Sequence, residues 1–222
     1  MARTLLCGAL LYLIGLAPVV GAVPDVRAGS IALALALDES CPAAGMALTT
    51  ARDEAARVWS AGDVTLRWTS LARLPYRTPR AGWLVVRCTF DEPTIARGQD
   101  VRTLPVAAIR FIGPQPTNVI VVNLGHARFL LGRDAPESRE LDTRFKFVRE
   151  RRLGRMVGRA VAHEIGHFLT QSGAHTEKGL MRATHSVAAF TGESLGPFRV
   201  DGVTFAAPPL AAASAPANSA IR

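Results

Sequence analysis

At 222 residues the chain has room for one domain with a full core and too little for two. Its formal charge is +8, but the basic residues are mostly spread out and do not form the pure block expected of a nucleic-acid arm. The densest stretch, RFKFVRERRLGR at 144 to 155, is interrupted by Glu150 and by apolar residues, so it reads as a half-exposed helix. No nucleic-acid partner is expected.

The chain opens with MARTLLCGALLYLIGLAPVVGA, one positive charge at Arg3 followed by an apolar run that closes on the small residues Val20-Gly21-Ala22. This is the pattern of a cleaved export signal over residues 1–22. The run is short, broken by Gly8, Gly15 and Pro18, and no stop-transfer segment follows, so no stable membrane span is expected after processing. The mature chain would begin near Val23, in the periplasm or outside the cell, with charge +7 once Arg3 is lost. Cys7 leaves with the signal. The remaining pair, Cys41 and Cys88, can form a disulfide in an oxidising compartment or stay as two separate buried thiols; the sequence leaves both open.

SIALALALD (30 to 38) suits a strand with one face on a core. MALTTARDEAARVWSAGD switches to helical spacing, with Ala51, Ala55, Val58 and Trp59 on one side and Gly62 as a stop. VTLRW (64 to 68), WLVVRCTF (83 to 90) and VAAIRFIG (106 to 113) read as further strands. NVIVVNLG (118 to 125), rich in β-branched residues, is the clearest of the later ones and ends on Gly125. His126, just behind it, reads as a loop histidine facing solvent.

Ala135 to Thr143 is polar and loop-like, and a long helix is predicted from about Arg144 to about Thr170, with Leu153, Met156, Val157, Ala160, Val161 and Phe168 as its apolar side. A short segment, SVAAFTGESLG, comes later, and residues 207–222 form an Ala/Pro-rich tail expected to be disordered. No internal repeat is present. The order implies an α/β (α+β) domain over 23–206: a twisted mixed sheet with two main helices packed on it.

The chemistry concentrates in AHEIGHFLTQSGAHTEKGLM, residues 162 to 181. On a helix, His163 and His167 are one turn apart, so both imidazoles leave the same face and can share one cation. Glu164 sits about 100° round the helix from His163, too far to be an equal ligand but placed to act as a base beside the metal. A catalytic zinc needs a third protein ligand and an open fourth position. From residue type and place, His175, His185, Glu177 and Glu193 are the candidates for that third ligand, with His175 preferred because a turn at Ser172-Gly173 would bring it back under the metal, Gly173 taking the positive φ.

HEIGH, followed by a glycine turn, a third histidine and a methionine, resembles the metzincin clan of zinc endopeptidases, whose pattern is H-E-x-x-H-x-x-G-x-x-H and then a methionine-bearing turn below the metal. The resemblance is specific over 163 to 181 and only topological over 30 to 160. It implies a zincin architecture, with His163, His167 and His175 as Zn2+ ligands, Glu164 as general base and Met181 as the turn methionine. It further implies an exported zinc metalloendopeptidase that hydrolyses a peptide or protein substrate through a zinc-activated water. A zinc-binding envelope protein with little or no peptidase activity is the alternative. The third histidine follows His167 by eight residues where the family has six, and Thr170 stands at the family's glycine position. Only a short helix candidate follows Met181. NVIVVNLG is either the edge strand that metzincins use to pair with extended substrate or an ordinary core strand.

Overall fold

A computed structural model describes residues 31–42, 44–74, 83–91, 105–134, 143–200 and 203–205. The expected leader over 1–22, the tail from 207 and most of the Ala135–Thr143 loop lie outside them. Five strands, β1 (Ile31–Leu37), β2 (Val64–Ser70), β3 (Trp83–Thr89), β4 (Ala107–Ile112) and β5 (Gln115–Asn123), form one mixed sheet in the order β2-β1-β3-β5-β4. The first four neighbours in that order run parallel, while β4 runs antiparallel to β5 at the edge. NVIVVNLG is thereby settled as an interior strand, and the edge belongs to β4.

The parallel pair β1–β2 needs a crossover, and α1 (Met46–Ser60) supplies it. Its predicted apolar side, Ala51, Ala55, Val58 and Trp59, is buried throughout. Leu33, Leu35 and Leu37 alternate into the core from β1, with Leu84 and Val86 from β3 and Ile120 and Val122 from β5. The long helix α3 (Thr143–Thr170) packs against α1 and contributes Leu153, Met156, Ala160, Val161, Ile165 and Phe168. A buried ion pair sets the register between the two helices: Arg159 Nε donates to Glu54 Oε1 over 2.7 Å, with both side chains almost fully enclosed. Trp59 Nε1 also donates to the Ala162 carbonyl at 3.1 Å, beside the histidine pair.

The expectation of two main helices is one short. A third, α2 (Leu124–Asp134), starts directly after β5. His126 is on it and only 1 % exposed, its Nδ1 3.3 Å from the Pro105 carbonyl, so the solvent-facing loop reading of His126 is corrected. The post-methionine segment gives only the five-residue α4 (Val187–Thr191). Cys41 and Cys88 are joined in a disulfide that ties the β1–α1 turn to β3. Closing a loop across 47 positions removes unfolded-state entropy worth about 4 kcal/mol.

Candidate metal centre

α3 ends at Thr170 in a tight cap that shapes the site. Gln171 takes a left-handed φ of 51°, its N–H donates to the Phe168 carbonyl at 3.3 Å, and Ser172 N–H donates to the His167 carbonyl at 3.2 Å. This pairing is a Schellman cap, which satisfies two carbonyls that the helix end would leave orphaned. The positive φ therefore belongs to Gln171; Gly173 has none, and it lies beside the Phe111 ring. The expected reversal occurs, but two residues earlier than Gly173.

The cap has a chemical consequence. Because the chain doubles back at Gln171, the Ser172 carbonyl meets His167 Nδ1 at 2.7 Å. His163 Nδ1 is held in the same way by the Leu180 carbonyl, also at 2.7 Å. A carbonyl only accepts, so each Nδ1 carries the proton and each Nε2 presents a lone pair. The two Nε2 atoms face each other at 3.1 Å. Burial lowers the pKa of His163 to about 4, against the hydrogen bond it donates to the Leu180 carbonyl, with the neighbouring His167 and His175 lowering it further. Burial also lowers His167. Near neutrality both rings are uncharged, and two opposed lone pairs at that distance ask for a cation between them. Two nitrogens bound to one tetrahedral zinc stand about 3.3 Å apart, given zinc–nitrogen bonds of about 2.0–2.1 Å.

His175 completes the group. The ligand atoms of His163, His167 and His175 lie within 4.8 Å of one another. The His175 ring stacks near that of His163 (centroids 5.3 Å apart) and stands edge-on to that of His167 (4.9 Å). The other candidates do not join them. His185 stacks on Phe198 at 4.4 Å and packs against Phe190, and Glu193 pairs with Arg155 at 3.0 Å. Glu177 is exposed, and the histidine trio is the one such group found among the described residues. Three imidazoles suit a borderline divalent ion such as zinc, and the set fits the form that keeps a fourth position open.

Below the trio the chain turns a second time. Gly179 has φ +75°, and a Cβ there would lie 2.6 Å from the Arg199 carbonyl oxygen, so glycine is required on both counts. Thr176 N–H donates to the Met181 carbonyl at 2.9 Å and Leu180 N–H to Arg199 at 2.8 Å, fixing the carbonyl that orients His163. Met181 is buried, its thioether pressed against Gly166 in the turn of α3 between His163 and His167.

Glu164 is 7 % exposed, and its Oε2 accepts the Ile109 N–H of β4 at 2.8 Å. Burial raises its pKa to about 7, opposed by that hydrogen bond. The edge strand thus reaches Glu164 directly. Sequence reasoning missed this contact, as it missed the supports behind the trio. Arg159, one turn before His163, stacks over Phe198 at 4.9 Å and donates to the Ala189 carbonyl, pinning the segment after Met181 to the helix. A basic residue one turn before His163, on the helix's buried side, was the available signal.

No protein-family model matches this chain, and no curated protein or solved structure matches it either. The site is read from its own geometry.

Proposed function

We propose that this chain is an exported zinc-dependent endopeptidase, with His163, His167 and His175 holding the metal and Glu164 acting as general base. The observation that carries the reading is the facing pair of Nε2 atoms, each aimed by a carbonyl on its own Nδ1, with His175 beside them. Second partners of this kind fix tautomer and ring orientation in metal-binding histidines. Zinc bound there supplies Lewis-acid polarisation of a scissile carbonyl and of a water in the open position.

The remaining work falls to the chain. With Oε2 held by Ile109, Glu164 has Oε1 left to take a proton from the attacking water and later deliver it to the leaving amine. Burial holds this carboxyl near 7 in the metal-free chain, and a bound cation would favour the ionised form that takes the proton. β4 lies at the sheet edge, with Phe111 near His167 and Ile112 77 % exposed. An extended peptide adding to that edge would lie alongside the base.

The deciding experiment is metal analysis of the purified mature chain together with a chelator-sensitive screen of a peptide library. Stoichiometric zinc with turnover that chelator abolishes supports the proposal. Stoichiometric zinc without turnover of any peptide moves the assignment to a zinc-binding protein, and absence of zinc removes it.

A further inference from the structure

A cavity of about 160 Å³ lies where the carboxyl ends of the parallel strands meet α1 and α3. Leu37, Val86 and Val122, each at or near the end of its strand, form a buried floor with Ala51 of α1 and Leu153 and Val161 of α3. Ala44, Gly45 and Arg128 are exposed and make the rim. Protein interiors leave few voids larger than one water, and an apolar cavity of about 150 Å³ takes up a benzene-sized molecule. The strand order gives a reason for a crevice here. From β1 the chain crosses to β2 on one side, while β3 lies on the other. Open α/β sheets bind ligands outside the carboxyl ends of their strands where the order reverses in this way.

The polar groups round the cavity are unbalanced. Arg52 and Trp68 are both in its wall. Arg52 Nε and Trp68 Nε1 are shut off from solvent, and neither has a hydrogen-bond partner among the described residues. The two side chains adjoin, with the guanidinium 6.0 Å from the centre of the indole ring. A donor buried without an acceptor loses its hydration and gains nothing in exchange. Arg52 is in no ion pair among the described residues, and neither are Arg128 and Glu150, the other charged side chains in the wall. Two cations against one anion leave the wall positive. α1 begins here as well: Gly45 caps it without a side-chain hydrogen bond, and its first turn holds no acid. The amino end of the helix therefore adds positive potential and supplies no acceptor.

We propose that this cavity binds a small carboxylic acid with an aromatic or branched aliphatic body. The body fills the apolar floor. The carboxylate is the acceptor that Arg52 and Trp68 lack, and the planar fork of Arg52 can turn to pair with it through two hydrogen bonds. None of His163, His167 and His175 lines the cavity, so the site stands apart from the metal centre and does not depend on a metal being bound.

The test is isothermal titration calorimetry of the full mature chain with phenylacetate and isovalerate, and with phenylacetamide and phenethylamine as neutral and cationic counterparts. Two variants accompany it. Arg52→Met removes the charge at similar length, and Val157→Phe fills the cavity from the α3 wall. The expected result is binding of the acids with a dissociation constant of about 1 mM or below, and at least tenfold weaker binding of the amide and the amine, on the order expected for a lost charged hydrogen bond. Arg52→Met is expected to weaken acid binding about 10- to 100-fold, and Val157→Phe to abolish it. Melting temperatures close to the parent value establish that both losses are local, and the ligand comparison on the parent chain stands even if Val157→Phe does not fold. A parent chain that binds neither acid, equal affinity for phenylacetate and its amide, preference for the amine, or undiminished binding in either folded variant would each overturn the proposal.

Discussion

Gly166→Ala examines the buried methionine turn through a change of sign. An added Cβ at Gly166 would fall inside contact distance of Met181 Sδ and 3.1 Å from its Cε. Met181 is 4 % exposed, so the thioether can yield only by displacing core. Overpacking of this kind costs about 1–3 kcal/mol, while replacing a mid-helix glycine by alanine returns about 1 kcal/mol. The single variant is thus expected to lose up to about 2 kcal/mol. Met181→Ala alone removes a buried side chain and is expected to cost about 2–5 kcal/mol. In that background the clash is gone, and Gly166→Ala keeps only the helix gain. It is then expected to stabilise by about 1 kcal/mol. The assay is urea unfolding of the four proteins in the double-mutant cycle, metal-free and with the disulfide intact. If the two changes add within about 0.5 kcal/mol, Met181 is not lodged against the ligand helix and the argument fails.

Glu164→Gln is expected to keep zinc and lose about 10²- to 10⁴-fold of hydrolysis; parental turnover would remove Glu164 from the chemistry. The same variant carries a pH signature in the metal-free chain. A folded pKa near 7 against 4.5 unfolded means the protonated carboxyl's contribution is full below pH 4.5 and lost as pH rises through 7. Glu164→Gln should therefore gain on the parent chain between those values, by about 3 kcal/mol at the plateau, and parallel stability curves would contradict the burial argument. Among His175→Ala, His185→Ala and Glu177→Ala, only the first is expected to lose zinc by mass spectrometry; full occupancy there with loss in either of the others would refute the ligand set. Cys41→Ser/Cys88→Ser is expected to cost about 4 kcal/mol in denaturant unfolding, and a loss below about 1 kcal/mol would mean the reduced chain is already held in that loop.

Local pattern alone determined much of this protein. Periodicity placed β1, α1, β3 and α3 within a residue or two, because each buries a face that its own spacing announces. The four-residue spacing of His163 and His167 likewise fixed the shared direction of two imidazoles, since one helical turn is a local property. What tertiary structure decided were the choices among local equals. Gly125 looked like the end of a strand. It lies inside the first turn of α2, where a Cβ would fall 2.7 Å from the Asp91 carbonyl carbon, so the glycine answers a chain segment more than thirty positions away. His175 and His185 are both histidines behind the helix. The left-handed turn at Gln171 carries one to the side of His163 and His167, and stacking on Phe198 keeps the other aside. The edge position of β4, the Ile109 hydrogen bond to Glu164 and the buried Glu54–Arg159 pair are contacts across 55 and 105 positions. A sequence window reports which face a residue occupies, but the partner across a packed core is set only when distant elements meet.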